Sequence, residues 1–455
     1  MGDLGSSPGF TTVVNHFRRT DVCFSSPIFF CNNRRKVSYP VKFFKMTSAA
    51  PKLSSLTYDY DLAIVGGGVV GATLACALKD SGLSVVLIEA EATSIASARG
   101  QAYNISPLSS RILDGLDVWS QIHPLVETYT KIRLSDADYS NVVQFVPQDL
   151  GAQTLGYVAE HQVLIAALQS SLRQNPHITW LCPASVVKVD RQPNQATLEV
   201  LVNGKVQLIR TRLVVAADGA RSPLRQQAEI HTRGWQYWQS CIVVTIKPEK
   251  FHNHTAYERF WTSGPFAILP LPDNRCRIVW TAPRAEAAAI VALDDNQFLR
   301  ELTRRYGNQM GKLTLEGDRY VFPVQLMHST RYVLPRLALI GDAAHCCHPV
   351  GGQGINMGIR DAAALAQVLQ AAHQRGEDIA ALKVLKRYER WRKWENLIIL
   401  GFTDLLDRTF SNDILPIVLL RRLGLSVLQT VSPLKSFALR LMTGLTGRVP
   451  KLAQR

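Results

Sequence analysis

Residues 60–78 read YDLAIVGGGVVGATLACAL, an apolar run that enters a cluster of glycines and then a segment rich in helix-forming residues. The run Tyr60–Val65 predicts a buried strand, and the spacing Gly66-x-Gly68-x-x-Gly71 predicts a tight turn that opens a helix. A second apolar strand follows over residues 84–88. Together these segments predict a Rossmann-like βαβ unit, which is typical of a parallel sheet covered by helices.

The spacing of these glycines also predicts a ligand. Gly66 permits the turn, Gly68 lets backbone amides approach a pyrophosphate, and Gly71 lets the helix pack closely on the strand. The helix N-terminus favours the charge of a diphosphate. Glu89 ends the second strand, where a carboxylate would accept hydrogen bonds from an adenosine ribose and repel a 2′-phosphate. The pattern therefore predicts tightly held FAD or NAD rather than NADP.

Two further motifs follow apolar strands later in the chain. Asp218-Gly219 follows the run at 213–217, and Gly341-Asp342 follows the run at 337–340. An acid at a strand exit is suited to bind a polyol chain, although Asp-Gly alone is also typical of an ordinary turn. Beyond them, a helix predicted to start near Gly354 would direct its positive end at a flat, electron-rich ring. The combination favours a flavin.

The length of 455 residues favours two joined domains, because one hydrophobic core seldom serves so long a chain. We predict an α/β fold in which a Rossmann-like FAD-binding domain is interleaved with a smaller, mainly antiparallel β-sheet substrate domain and followed by C-terminal helices. The predicted segments are a leader (1–57), the FAD-binding domain's first part (58–234), the substrate domain (235–325), the FAD-binding domain's second part with helices (326–410) and a basic amphipathic helical tail (411–455).

Composition and charge narrow the function classes. Hydrophobic residues make up 47% and charged residues 19% of the chain, as in a packed globular protein. The net charge is +15, but the two ends of the chain supply +12 of it. Residues 1–45 contain seven Lys and Arg and two acids, and the stretch after Asp413 contains seven Lys and Arg and no acid. The body is nearly neutral and shows no nucleic-acid motif, so we expect no nucleic-acid partner. Eight scattered cysteines without CxxC spacing predict a reducing compartment.

The two charged ends leave alternatives open. Residues 1–45 are either an organellar transit peptide or an over-extended start that precedes a true beginning at Met46. The Leu-rich tail is either a helix packed on the body or a surface for anionic lipid or partner subunits. Its longest apolar run, Ile414 to Leu420, is far shorter than the roughly 18 residues that span a bilayer. We expect a cytoplasmic protein with peripheral contact at the inner face of a membrane, and an organellar one only if the transit peptide is genuine.

The four residues His345, Cys346, Cys347 and His348 have the composition of a metal site. Zinc ligands are usually separated by two or more residues and drawn from two segments, and adjacent cysteines seldom coordinate one ion. We therefore expect no metal.

In this order and spacing, the three motifs resemble those of the class A flavoprotein aromatic hydroxylases, which have the para-hydroxybenzoate hydroxylase fold. The chain is especially similar to the UbiH/VisC-type quinone-biosynthesis monooxygenases, over about residues 58–445, where it also shares Phe410-Ser411-Asn412-Asp413 near the C-terminus. One departure is Asn104-Ile105-Ser106, where the family usually has Ala-Leu-Ser. The cofactor-binding residues implied by motif and resemblance are Gly66, Gly68, Gly71, Glu89, Arg99, Asp218, Gly219, Arg225, Asp342, Gly352, Gln353, Gly354 and Asn356.

The resemblance implies an FAD-dependent monooxygenase that is reduced by NAD(P)H and uses O2 to hydroxylate a polyprenylated phenol of ubiquinone or plastoquinone biosynthesis. A single GxGxxG implies that NAD(P)H visits transiently as co-substrate, and NADH and NADPH both stay open. The flavin carries the chemistry, so no acid or base is assigned, but an apolar pocket must exclude water. The candidate lining residues are Phe260, Trp261, Phe266, Leu269, Pro270, Val350 and Gly351.

Three alternatives share this fold or cofactor. A flavin-dependent halogenase would carry a Trp-x-Trp-x-Ile-Pro motif, which the sequence lacks. An isoprenoid reductase would saturate its substrate without consuming O2. A non-catalytic FAD scaffold in a quinone-biosynthesis complex would bind flavin without substrate-stimulated oxidation of NAD(P)H.

Overall fold

The glycine-rich stretch folds as the sequence predicts. In the computed structural model, strand β1 (Tyr60–Val65) turns at Gly66 into helix α1 (Val69–Ala77). The residues that the structure describes are 58–91, 101–136, 139, 142–173, 175–307 and 309–454, and they belong to one compact unit. The predicted leader and Arg99 lie outside these residues.

The remaining strands follow in chain order. They are β2 (Val85–Ile88), β3 (Ala102–Ile105), β4 (Glu127–Tyr129), β5 (Lys131–Asp136), β6 (Val142–Phe145), β7 (Gly156–Glu160), β8 (Ile178–Leu181), β9 (Ala184–Arg191), β10 (Ala196–Val202), β11 (Lys205–Ala216), β12 (Thr232–Pro248), β13 (Thr255–Trp261), β14 (Gly264–Leu271), β15 (Arg275–Pro283), β16 (Leu313–Ser329), β17 (Val333–Leu334), β18 (Leu337–Leu339) and β19 (His345–Cys346). The helices are α2 (Pro107–Asp114), α3 (Trp119–Ile122), α4 (His161–Arg173), α5 (Pro223–Gln227), α6 (Arg284–Val291), α7 (Asp295–Tyr306), α8 (Gly354–Gln374), α9 (Leu382–Phe410), α10 (Leu415–Thr430) and α11 (Ser432–Met442).

The first sheet has the strand order β17-β18-β11-β1-β2-β8, and β18, β11, β1, β2 and β8 run parallel. Val65 pairs with Ile88 on one side and with Ala216 on the other, so these three strands end together. The motifs at Gly66, Glu89, Asp218 and Gly341 each follow a strand of this sheet. Because parallel strands end at one edge, all four motifs meet there.

The second sheet has the order β19-β16-β12-β15-β14-β13-β5-β6 and is antiparallel except between β13 and β5. Its extent differs from the predicted substrate domain, because β5 and β6 come from residues 131–145. These short strands lie more than 100 residues before β13 in the chain, a separation that local patterning does not bridge. The remaining domain boundaries stay predictions.

Separate apolar clusters fill the space on either side of the second sheet. One face packs against α6 and α7 through residues such as Phe266, Trp280 and Phe298. The opposite face carries Ala256, Phe260 and Leu271, which pack with residues of the glycine-rich third motif and of the tail. The second sheet therefore has one structural face and one face that is directed at the predicted cofactor site.

The tail is built into the fold. Leu425 of α10 and Leu439 of α11 are buried in the apolar cluster of that second face. Arg421 is also buried and forms two hydrogen bonds of 3.0 Å with Asp136 on β5, while its Nη1 atom donates to the carbonyl of Asn412 at 2.7 Å. The prediction of a helix packed on the body is therefore correct for one side of the tail.

No single helix in the described part of the chain is long and apolar enough to cross a membrane. Helices α10 and α11 reach that threshold only as a pair, and they are bent by 103° where they meet.

Replacing Arg421 by Ala is expected to lower the free energy of unfolding by about 3 kcal/mol, because it leaves the buried Asp136 carboxylate with the half-exposed Arg422 alone. Urea denaturation of the FAD-loaded protein measures this. Arg440→Ala, an exposed substitution in the same tail, serves as the control and should change stability by no more than about 0.5 kcal/mol. Equal stability of both variants would contradict the structural role of the ion pair.

Candidate functional site

An open cleft of about 520 Å³ lies at the carboxyl edge of the first sheet. The turn Gly66–Gly68 forms one wall, and Glu89 and Asp218 contribute side chains from the neighbouring strand exits. Trp180 and Val186 provide apolar surface on the side of β8 and β9. A cleft with amides at one end and apolar surface beside a carboxylate is suited to the adenosine and pyrophosphate of a dinucleotide.

The three motif glycines serve different purposes. Gly66 has a φ of +105°, and a Cβ atom added there would lie 2.3 Å from the carbonyl oxygen of Ala217. A Cβ on Gly71 would lie 1.9 Å from the carbonyl oxygen of Gly66. At Gly68, by contrast, an added Cβ meets no heavy atom of the described chain within 4 Å. The first two glycines are required by the fold, and the third leaves open space for a ligand.

Glu89 is held at the cleft by backbone donors. The N–H groups of Gly67 and Glu91 donate to its two carboxylate oxygens at 2.5 and 2.7 Å. Each oxygen keeps a second lone pair, so the carboxylate can still accept hydrogen bonds from ribose hydroxyls. Its geometry fits the role predicted from the sequence.

Asp218 offers an acceptor that the protein itself does not satisfy. Its Oδ2 atom accepts from the N–H of Leu224 at 3.1 Å, whereas Oδ1 is shielded from solvent and has no partner among the described residues. Burial raises the pKa of this carboxyl, against hydrogen bonds from Ser222 and Leu224. A shielded, unpaired acceptor in the cleft fits a hydroxyl donor of a bound cofactor.

Arg225 is engaged by the protein. Its guanidinium donates to the carbonyl oxygens of Ala343 at 2.9 Å and Ala220 at 2.8 Å. It thereby ties the loop after Gly219 to the loop after Asp342. The described contacts of Arg225 hold the site in shape, and its contact with a cofactor stays a prediction.

Asp342 lies three residues after the end of β18 and stays accessible from solvent. The protein around it nevertheless raises the pKa of its carboxyl through desolvation, which the nearby His345 opposes. The preceding residue, Gly341, is held in position because its N–H donates to the buried carboxylate of Asp361 at 3.1 Å. Asp342 is therefore an accessible acid on a rigid strand exit, as a ribityl-binding residue requires.

The glycine loop, residues 348–354, is fastened to β3. Asn104 donates from Nδ2 to the carbonyl of Gly351 at 3.1 Å and accepts from the hydroxyl of Tyr129 at 2.8 Å. Asn356 donates to the carbonyls of Asn104 and Gly352 at 2.8 and 3.0 Å. Asn104, which departs from the family pattern, thus holds the glycine loop in place. Asn356 also links this loop to β3.

Helix α8 begins at Gly354, as the sequence predicts, with Gln353 as its N-cap. Gln353 is buried, and its Nε2 atom donates to the carbonyls of Gly351 and Met442. The positive end of α8 thus opens at the glycine loop, where it would favour negative charge on a reduced flavin ring.

The four residues from His345 to His348 point to different partners. His345 binds Asp361 at 2.5 Å, whereas His348 binds Gln239 at 3.2 Å and accepts from the N–H of Val350 through Nδ1. Burial lowers the pKa of His348 to about 4 and raises the pKa values of both intervening thiols. Neutral thiols and separately engaged imidazoles are unsuited to one ion, so the expectation of no metal stands as a prediction.

Among the described residues, three potential metal ligands have their ligand atoms within 4.8 Å of one another, namely Glu127, His252 and His254. The Nε2 atom of His252 faces the carbonyl of Leu271 at 3.1 Å, and its Nδ1 atom accepts from the N–H of His254 at 3.1 Å. Both ring nitrogens are therefore occupied by the backbone.

A small pocket lies on the other side of the glycine loop, between it and the second sheet. Its lining residues are Leu134, Glu258, Phe260, Val350, Gly351, Gln353, Phe402, Leu406 and Met442. Three of the predicted lining residues, Phe260, Val350 and Gly351, are among them. Leu269 lies on the same face of the sheet and packs in the neighbouring apolar cluster.

Trp261, Phe266 and Pro270 require a correction. Side chains alternate along a strand, so Phe260 faces the glycine loop while Trp261 faces α6 and α7. Phe266 is likewise buried in the structural core, and alternation along β14 puts Pro270 on the same side. The same alternation puts Glu258 on the face of Phe260, a signal that was present in the sequence. Phe402, Leu406 and Met442 come from distant helices, and no local pattern indicates them.

The residues at the edge of the first sheet and the start of α8 fit FAD: open space at Gly68, an unpaired acceptor on Asp218, an accessible acid at Asp342 and a helix N-terminus at the glycine loop. Residues 59–394 match the family model described as FAD binding domain. The chain is 52% identical over 395 residues to an uncharacterized protein of Synechocystis sp., covering 87% of this chain and 95% of that protein.

It is also 39% identical over 397 residues to ubiquinone hydroxylase UbiL of Rhodospirillum rubrum, covering 87% of this chain and 92% of the hydroxylase. Among solved structures, p-nitrophenol 4-monooxygenase PnpA from Pseudomonas putida aligns with a TM-score of 0.73 at 19% identity, over 86% of this chain and 98% of that one. At that identity the likeness shows a shared fold.

Replacing Gly68 by Val is expected to abolish FAD retention in a folded protein, because a Cβ atom at this position meets no heavy atom of the described chain within 4 Å and the added bulk occupies the space that a pyrophosphate needs. The flavin-to-protein absorbance ratio of the purified variant measures this. Gly401→Val is the matched control, since Gly401 on α9 also has open space around it and lies away from the cleft. Normal flavin content in the Gly68 variant would remove this motif from the cofactor site.

Proposed function

We propose that this chain, which belongs to the FAD binding domain family and is an FAD-dependent monooxygenase, hydroxylates the aromatic ring of a lipid-tailed phenol with NAD(P)H and O2. The observation that carries the proposal is the mainly apolar pocket that lies against the glycine loop. The similarity to a ubiquinone hydroxylase along 87% of the chain supports a precursor of ubiquinone or plastoquinone as the substrate.

FAD would be held along the edge of the first sheet. The amides after Gly66 and the N-terminus of α1 would hold the pyrophosphate, Glu89 the ribose, and Asp342 the ribityl chain. The glycine loop and the N-terminus of α8 would bind the flavin ring. When bound, the flavin supplies the reduction and activation of O2 that hydroxylation needs.

The chain's own contribution is to position the phenol and keep water away. Leu134, Phe402 and Leu406 form apolar walls, and Phe260 stacks on Phe410 with ring centroids 4.0 Å apart. An oxygenation site has to be dry, because water diverts the activated oxygen into hydrogen peroxide. The apolar side chains around the pocket support this role.

The tail carries a second surface relevant to a lipid-tailed substrate. The exposed apolar side chains at the start of α10 are Ile414, Leu415, Leu419, Leu420 and Leu423, each between 56% and 68% exposed. Arg421 and Leu425 on the opposite side are buried. We therefore propose that this leucine face contacts a membrane surface peripherally.

Charge contributes less to this contact than the sequence suggested. Arg421 and Arg422 bind Asp136, and Lys435 binds Asp149 at 2.9 Å. Three of the seven basic residues after Asp413 are thus paired with two acids of the body, which offset two of their three charges. Binding that rests on leucines rather than on free cations should survive high salt.

The hydroxylase proposal predicts that the FAD-loaded protein oxidises NAD(P)H faster when a polyprenylphenol is added, and that isotope-labelled O2 leaves one labelled oxygen atom in the product. Mass spectrometry of the product measures this. A saturated product without oxygen would favour a reductase, a halogenated product a halogenase, and the lack of any stimulation a non-catalytic scaffold. Each of these three results would overturn the proposal.

The membrane proposal predicts that Leu419→Ser with Leu420→Ser lowers co-sedimentation with anionic liposomes by about tenfold at both low and high salt, because two exposed leucines no longer reach the lipid. The matched control is Val206→Ser with Leu208→Ser, which removes equally exposed apolar side chains from β11. Flavin absorbance should stay normal in both. Equal liposome binding by the two double variants would refute this surface.

A further inference from the structure

A single carboxyl group enters the apolar pocket. Glu258 lies in the middle of β13, opposite Leu134 of β5 on one side and Ala267 of β14 on the other. Its neighbours on the same face, Ala256 and Phe260, are both buried in the apolar cluster. The intervening Arg259 points to the other face, where it donates to the carbonyl oxygens of Arg305 and Tyr306.

The pocket offers hydrogen-bond acceptors but hardly any donors. The N–H of Gly351 already donates to the carboxylate of Glu258. Gln353 directs its amide N–H groups to backbone carbonyls, while its Oε1 atom is buried and has no partner among the described residues. Among the residues that the structure describes, no Lys, Arg or His lines the pocket. A ligand that fits has an apolar body and a hydroxyl donor, and a carboxylate on that ligand would be repelled by Glu258.

We propose that Glu258 binds the phenolic hydroxyl of the substrate and accepts its proton, and that the pocket thereby selects a phenol without an acidic group. This inference rests on the hydroxylase function proposed above. The O–H bond of the phenol breaks and an O–H bond forms on Glu258, while the electron pair stays on the phenolate oxygen. Its delocalisation into the ring makes the ortho and para carbons better nucleophiles for the oxygen transfer. Glu258 gives the proton back to the phenolic oxygen when the product leaves.

The environment of Glu258 suits a proton acceptor. Burial raises the pKa of its carboxyl to about 8, and the hydrogen bond from Gly351 opposes this only in part. That value lies within about two units of an ordinary phenol, so proton transfer between them is nearly balanced. A carboxylate with the usual pKa would be a much weaker base.

Titratable groups on the surrounding elements are engaged with other partners. They are Asp136 on β5 with Arg421, His348 of the glycine loop with Gln239, Asp407 on α9 with Gln239, Asp404 on α9 with Tyr237, and Lys435 on α11 with Asp149. Cys241 on β12 is a buried thiol whose pKa is raised to about 12. Glu258 is therefore the group in this environment whose titration near pH 8 would affect a bound phenol.

The test uses the FAD-loaded full chain with a polyprenylphenol, its methyl ether and its ring-carboxylated counterpart. Binding is followed by the change in flavin absorbance, independently of turnover. The wild type should bind the phenol more tightly as pH rises through about 8, bind the ether without this dependence, and bind the carboxylated phenol at least about tenfold more weakly.

In Glu258→Gln, kcat for hydroxylated product should fall on the order of 100-fold with KM changed far less, and the dependence on pH near 8 should disappear. Residual NAD(P)H oxidation should release hydrogen peroxide. Glu258→Asp should keep the pH dependence at an intermediate rate. Glu301→Gln, at a half-exposed carboxylate on α7, is the matched control and should resemble the wild type.

Stability separates this role from a structural one. A protein becomes less stable with rising pH if it contains an acid whose pKa is raised on folding. For Glu258 this loss runs from the pKa of the unfolded state, about 4.3, to the pKa of the folded state, about 8. Glu258→Gln should therefore melt at a higher temperature than the wild type above pH 8, whereas loss of a structural carboxylate would lower it.

Wild-type rate and pH profile in Glu258→Gln would overturn the inference, as would pH-independent binding of the phenol by the wild type. The second measurement needs no variant, so poor folding of the variant would not prevent a decision. If the wild type shows pH-dependent phenol binding but forms no hydroxylated product, the proposed function fails while the assignment of Glu258 as the phenol-binding group stands.

Discussion

The buried carboxylate of Asp361 on α8 is the interaction on which the site depends. It accepts from the N–H of Gly341 at 3.1 Å, from His345 at 2.5 Å, from Arg392 at 2.8 Å and from Asn396 at 3.1 Å. Burial alone would raise the pKa of Asp361, but His345 and Arg392 hold it well below its usual range. Because removing one partner of a buried ion pair strands the other charge, the strand exit, α8 and α9 form one unit.

From this unit the polar contacts extend to both sheets. One helical turn before Asp361, Asn356 binds the backbone of β3, and ahead of α8 His348 binds Gln239 of the second sheet. Gln239 in turn donates to Asp407 of α9 at 3.3 Å. The glycine loop is therefore positioned from its outer side by hydrogen bonds, which allows its inner surface and the facing sheet to stay apolar. A dry pocket beside a polar cofactor cleft follows from this division.

Sequence patterns predicted the elements that depend on neighbouring residues and the motifs that directly follow strands. The βαβ unit, the strand exits before Asp218 and Asp342 and the start of α8 all follow from short motifs whose geometry is set by neighbouring residues. The ion pair of Arg421 with Asp136 joins residues 285 positions apart, and no local periodicity encodes it. Trp261 was misplaced because aromatic composition was considered without the alternation of β13, which also indicated Glu258.

Asp361 and Glu258 differ in the number of hydrogen-bond partners, and this difference distinguishes a structural acid from a proposed proton acceptor. Asp361 is fully buried and Glu258 is half-buried, and desolvation disfavours a negative charge on both. Asp361 is compensated by four donors, one of them the guanidinium of Arg392, so it stays ionised and binds its surroundings together. Glu258 has one backbone donor and no cation, so its charge is only partly compensated. A carboxyl group whose charge is not compensated lowers the stability of a fold. Other acids of this protein, such as Asp361 and Asp136, are paired with cations, whereas Glu258 is not. Its position beside the glycine loop, with an unpaired amide oxygen on Gln353 nearby in the same pocket, is therefore best explained by a partner that arrives with the substrate.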